Sequence, residues 1–186
     1  MNWHMLHFSG IQCKPLPEQL FSFADAYLES AETLCEKLCT DGDHATYAHG
    51  AVVMSLTFHS LELFIKGAIL LKVPTEQFGG RSGHDLDHLM KRYKKLYPGK
   101  NLGFDVPFRR HLPETEGMDP RVAEELVSYV RKQSQDMPED QLHRYPASLQ
   151  GETWNAVLGF EPNSFLFTIQ GIKKDLSKVK SLLQGG

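Results

Sequence analysis

Residues 45–72 read ATYAHGAVVMSLTFHSLELFIKGAILLK, and this stretch decides the fold. Its apolar residues run nearly all round a helix and leave one narrow polar stripe at Ser55, His59, Glu62 and Lys66. At about 100° per residue those four positions fall within a wedge of roughly 60°. A helix that is apolar on its other sides belongs in the middle of a packed bundle. The run from Ala51 to Val73 approaches membrane-spanning length, but His59, Glu62 and Lys66 would each be costly at a bilayer centre, so we read a core helix and expect no membrane partner.

Toward the N-terminus, residues 1–16 read as an irregular leader with Trp3, Leu6, Phe8 and Ile11 available to pack. Pro17 suits the first position of a helix. From there Leu20, Ala24, Tyr27, Ala31, Leu34 and Leu38 alternate in steps of 4 and 3, the seam of a lengthwise-packed helix. Glu18, Asp25, Glu29, Glu32 and Glu36 lie off that seam against a lone Lys37 and read as an acidic solvent face. Asp41-Gly42-Asp43 ends this helix and offers Asp43 as N-cap to the central one.

Toward the C-terminus, a loop with Gly79-Gly80 leads to a helix starting near His84 or Asp85, with Leu86, Leu89, Met90, Tyr93 and Leu96 inward and Pro98 closing it. A further helix is expected from Pro120 to about Gln135, capped by Asp119, with Val122, Leu126, Tyr129 and Val130 inward. The last opens at Asn163 and repeats Phe165, Ile169, Ile172, Leu176, Val179 and Leu183, flanked by Lys173, Lys174, Lys178 and Lys180. The expected fold is therefore all-α, an up-and-down bundle of about five helices in one domain. Its core is 17–97, 119–135 and 163–184, and its irregular segments are 98–118 and 136–162. Between Pro98 and Pro162 lie 7 of the 10 prolines, and a short β-hairpin can be drawn there with Gln150-Gly151 turning between Leu142–Leu149 and Thr153–Phe160.

Composition narrows the classes of function. At 186 residues with 41% hydrophobic and 23% charged, the chain is an ordinary globular domain, and no secretory leader is read at its start. Cys13, Cys35 and Cys39 are odd in number and lack CxxC spacing, which leads us to expect a reducing cytoplasm. A net charge of -3 means that any nucleic-acid surface must be a local patch.

Three short motifs carry a family likeness: Ser60-Leu61-Glu62-Leu63-Phe64-Ile65-Lys66-Gly67, then Gly83-His84-Asp85-Leu86, then Arg144-Tyr145-Pro146 before a final long helix. In their order and placement the chain, from roughly Pro17 to Leu183, resembles the HEPN superfamily (higher eukaryotes and prokaryotes nucleotide-binding). The resemblance implies a helical bundle, a homodimer, a setting such as bacterial toxin-antitoxin or phage-defence systems, and in many members RNA cleavage. Those nucleases carry an Arg, a short gap and a His near the start of a late helix. Here the late helix from Asn163 has neither residue, and the spacing occurs instead at Arg81 and His88.

The polar stripe admits three readings. It is a solvent strip with Glu62 and Lys66 as an i,i+4 pair, or Glu62 anchors the His84 loop, or the stripe lines a ligand groove. For the groove the candidates are His59, Glu62, Lys66, His84, Asp85 and Arg144, which could hold a phosphate or a base edge. Arg144 also suits a carboxylate such as Glu62. His84 and His88, with His59 and Glu62 in reach, have the look of a metal site, but no HExxH and no pair of ExxH motifs is present, so neither metal nor cofactor is expected.

Between Lys91 and His111, Lys91, Arg92, Lys94, Lys95, Lys100, Arg109 and Arg110 face a single acid, Asp105, with Tyr93, Tyr97, Phe104 and Phe108 interleaved as stacking surfaces. This is either a nucleic-acid patch or a solvated helix face. The acidic stretch from Glu114 to Asp140 beside it also suits self-association or a protein partner. The expectation is a non-catalytic module that binds RNA, a nucleotide or a partner protein in a bacterial stress or defence system. The alternatives are a metal-independent ribonuclease using Arg81, His84 and His88, and a scaffolding dimer.

Overall fold

The computed structural model describes residues 7–41, 46–107, 115–136, 144 and 160–185, with the backbone alone for residues 81 and 131–136. Among these it is all-α, with no strand: α1 (Ser9–Gln12), α2 (Leu16–Thr40), α3 (Tyr47–Lys72), α4 (Leu86–Leu96), α5 (Pro120–Asp136) and α6 (Pro162–Gln184). The leader expected to be irregular thus holds one helical turn, and Trp3 and Leu6 lie outside the described residues. So does the expected hairpin.

Pro17 sits in the first turn of α2, where its missing N–H has no partner to lose. The buried line of α2 is Phe21, Ala24, Leu28, Ala31, Cys35 and Leu38. Leu20, Tyr27 and Leu34, expected on that line, are half-buried instead. The reason is tertiary. Helix α2 packs against both α3 and α6, so its deepest line bisects two neighbours and falls one position along.

Helix α3 starts at Thr46, not Asp43. The Thr46 hydroxyl accepts from His49 N–H at 3.4 Å, and the His49 ring reaches back to the Thr46 N–H at 3.4 Å, a capping box. The helix is long and apolar enough to cross a membrane, and 72% of its most apolar window is buried inside the protein. It passes close to α2 at Gly67, where an added Cβ would stand 2.9 Å from the Phe21 ring and 3.1 Å from the Pro17 carbonyl oxygen. Ser60, fully buried, donates to the Ala24 carbonyl at 2.7 Å and so keeps its hydroxyl satisfied inside that interface.

Asp85 caps α4 by accepting from the Asp87 and His88 N–H groups. Leu89, Met90 and Tyr93 bury against α3, and Phe104 from the following loop packs on Phe64 and Tyr93 at 5.6 and 5.3 Å between centroids. The segment 98–118 is therefore partly core. On α6, Phe165, Ile169, Ile172, Leu176 and Val179 are buried as the spacing predicts, with Leu183 packed at the edge. Lys173 and Lys180 bond Glu32 and Asp25 at 2.6 and 2.7 Å, so two acids of the expected solvent face of α2 instead join it to α6.

Helix α5 departs most from expectation. Asp119 caps it through the Arg121 N–H, but Val122 and Tyr129 are 55% and 61% exposed rather than inward. Periodicity shows which face of a helix is apolar; it does not supply a neighbour for that face.

Candidate functional site

Glu62 is the centre of the candidate site. Its place on the stripe of α3 would face water in an isolated helix, yet it is 2% exposed. The loop before α4 covers it. That loop makes a tight turn at Arg81–Gly83, and an added Cβ on Gly83 would lie 2.8 Å from the Phe78 carbonyl carbon and 2.9 Å from its oxygen. Only a glycine lets the chain pass Phe78 this closely, and the passage delivers His84 to the carboxylate.

Four side chains converge on Glu62. Lys66 Nζ donates to Oε1 at 2.7 Å, and His84 Nδ1 lies 2.9 Å from the same oxygen. Arg144 Nη2 stands 3.4 Å from Oε2, and His59 Nδ1 stands 3.8 Å from it. Lys66 is itself 8% exposed and lies over the Phe78 ring at 5.4 Å, which shields it further. Burial pushes the Glu62 carboxyl up, but the nearby His59 ring, the hydrogen bonds from Lys66 and His84 and the charge of Lys66 outweigh it, holding the group at about 2.

An ionised carboxylate only accepts, so the His84 Nδ1 must carry a proton and donate. Its Nε2 then faces outward on a side chain 54% exposed. His59 is arranged the other way: its Nδ1 lies 3.3 Å from Arg144 Nη2, and a guanidinium only donates, so this Nδ1 is bare. Tyr27 on α2 holds the His59 ring edge-on at 4.5 Å. The cluster thus sets two permanent cations and two imidazoles around one buried carboxylate, with His84, His59 and Arg144 forming a half-exposed rim.

Of the expected groove residues, His59, Glu62, Lys66, His84 and Arg144 meet. Asp85 does not join them, because its carboxylate is occupied at the start of α4. His88 is exposed on α4, and the Arg81 side chain lies outside the described residues. Among the described residues no group of three or more His, Cys, Asp or Glu could hold a metal ion. Sequence reasoning missed Tyr27 and Phe78; neither stands in a motif with the residue it contacts.

The basic patch is smaller than its composition suggests. Lys91, Lys94, Lys95 and Lys100 are exposed, but Arg92 is paired with Glu76. Tyr93, Tyr97 and Phe104, expected as stacking surfaces, are buried in the core. Tyr93 donates to the Leu102 carbonyl at 2.7 Å and Tyr97 to that of Ala68 at 2.8 Å, and burial raises both phenols. Aromatics that line a core cannot also stack on bases. Arg109, Arg110 and Phe108 lie outside the described residues. Comparison of the chain with protein-family models, with curated proteins and with solved structures finds no match in any of the three.

Proposed function

We propose that this is a HEPN-like binding module, without catalysis, that takes the phosphate of an RNA or nucleotide at the rim of the Glu62 cluster. The observation that carries it is the charge imbalance: Lys66 and Arg144 outnumber Glu62, and Arg144 and the His59 ring, with its proton on Nε2, stand at a half-exposed edge. An anion placed there meets hydrogen-bond donors in a partly desolvated setting, where charge-assisted bonds are strongest. Lys91, Lys94 and Lys95 on α4, the helix that follows the His84 loop, supply further phosphate contacts without sequence preference. The homodimer and the bacterial defence setting belong to the same proposal and rest on the resemblance in sequence; sedimentation of the purified chain tests the first.

The test is a titration of fluorescent single-stranded RNA at about 50 and 200 mM salt, with cleavage followed on the same samples. Binding should weaken linearly in log affinity against log salt, and Arg144→Gln should flatten that slope by up to about 0.7, the value of one full phosphate contact on a single strand. No binding at either salt sinks the proposal. A second reading, ribonuclease, draws on one observation: a buried carboxylate holds His84 with Nε2 outward, as a general base is held. Cleavage lost in His84→Ala and retained in His88→Ala would favour it over the binding module. Salt-independent failure to bind, with a stable dimer, would favour the scaffold.

A further inference from the structure

One nitrogen of His59 faces two partners that want opposite things of it. Nδ1 is 3.3 Å from Arg144 Nη2, where it must accept, and 3.8 Å from Glu62 Oε2, where it could only donate. With the ring neutral, Arg144 spans both: it donates to His59 and, at the long distance of 3.4 Å, to Oε2. A proton on Nδ1 reverses this. It sets an N–H against the guanidinium N–H and a positive charge against a positive charge, and it gives Oε2 a new donor that needs only a small turn of the ring.

Among the described residues, Arg144 is the group left to move. Glu62 Oε1 is already held by Lys66 and His84, so it offers the guanidinium no better place. Asp85 is committed to the α4 cap, and from α2 Tyr27 packs perpendicular to the His59 ring at 4.5 Å between centroids. Glu62 stays ionised throughout the range in which imidazoles titrate, since its carboxyl is held at about 2.

We propose that Glu62 Oε2 takes either Arg144 or a protonated His59, not both, so that acidification releases the Arg144 guanidinium to an anionic ligand. The site is then gated by a proton: near neutrality Arg144 is partly neutralised by Glu62, and on the acid side it is free to reach a phosphate. The consequence for the ligand rests on the anion-binding proposal above, whereas the exchange at Oε2 stands on the geometry alone.

The exchange is tested first without ligand, on the nitrogen-15-labelled full chain between about pH 8 and 5. At the alkaline end the imidazole spectra should show His59 bare at Nδ1 and protonated at Nε2, with His84 the reverse. As His59 protonates, the Arg144 side-chain N–H should exchange faster with water, at the same midpoint. His59→Asn keeps an acceptor near the Nδ1 position but does not titrate, and should leave the Arg144 signal independent of pH. His59 protonated at Nδ1 in alkali, an Arg144 signal that ignores the titration, or the same response in His59→Asn would each overturn the exchange.

The ligand half is read with the fluorescent single-stranded RNA at about pH 8 and 6. The salt slope should steepen by about 0.7 for one added phosphate contact in the wild type, and not in His59→Asn. RNA bound with no such difference overturns the gating. RNA bound at neither pH, with the Arg144 exchange intact, removes the anion-binding proposal and leaves the switch standing.

Discussion

Replacing Glu62 by Gln keeps the shape of the side chain and removes its charge. In the wild type the carboxyl is held at about 2 instead of 4.5, a difference worth roughly 3 kcal/mol of folding free energy by linkage. The sign follows from the direction. A carboxyl depressed by folding contributes its full share above the unfolded value and loses it as the pH falls toward the folded one. The cost of Glu62→Gln should therefore be roughly 3 kcal/mol at pH 7 and should shrink between about pH 5 and 2, where both chains become neutral at this position. That is a large part of the 5 to 15 kcal/mol of a typical domain, so the midpoint of urea denaturation should move visibly. Lys66, 8% exposed, is left as an uncompensated ammonium, so adding Lys66→Met should recover part of the loss. The reasoning is refuted if Glu62→Gln costs less than about 1 kcal/mol at pH 7, or if its cost is the same at pH 7 and pH 3.

Gly67→Ala should destabilise by about 1 to 3 kcal/mol in urea, because its Cβ would enter the Phe21 ring at 2.9 Å and the helices cannot separate cheaply. Gly83→Ala should cost a similar amount and also weaken RNA binding, by pushing His84 off Glu62, whereas Gly79→Ala, with nothing within 4 Å of its Cβ, should do neither. Among the thiols, Cys13 is exposed while Cys35 is buried and raised to about 12, chiefly by that burial. A thiol reagent should consume Cys13 at once and reach Cys35 only on unfolding.

The fold was legible where one face of a helix has one partner. The spacing on α6 and on α4 names the residues that are buried there. It misplaced the deepest line of α2 because Leu20-Phe21, Tyr27-Leu28 and Leu34-Cys35 are adjacent apolar pairs. Either member satisfies the period, and only the position of α2 between α3 and α6 chooses the second. On α5 Leu126 and Val130 are half-buried while Val122 and Tyr129 are exposed, since the period of an apolar stripe does not say how deeply each of its members is covered. Tyr97 was available to a closer reading: four residues beyond Tyr93, which the spacing already placed inward, it continues the buried stripe of α4, and the lysines between them belong to its other face.

The site was legible in its residues but not in its balance. The stripe on α3 marked Glu62 and Lys66, the resemblance marked His84 and Arg144, and the expected pairing of Arg144 with a carboxylate such as Glu62 is met at 3.4 Å across 82 residues. The sequence does not reveal that the two histidines must hold their protons on opposite nitrogens, which follows only from what each Nδ1 faces. That arrangement bears on whether the cluster is an anchor or a binding site. An anchor for the His84 loop needs Glu62, its 2.9 Å bond to His84 and one buried cation to balance the charge, and Lys66 already provides that cation at 2.7 Å. Arg144 is surplus to such an anchor. It is held weakly by Oε2 and shares the bare nitrogen of a neighbouring imidazole, at a rim that water can reach. A second cation kept there at long distances gains little in folding free energy. On the function proposed above, the partner that brings it into close contact is an anion from outside.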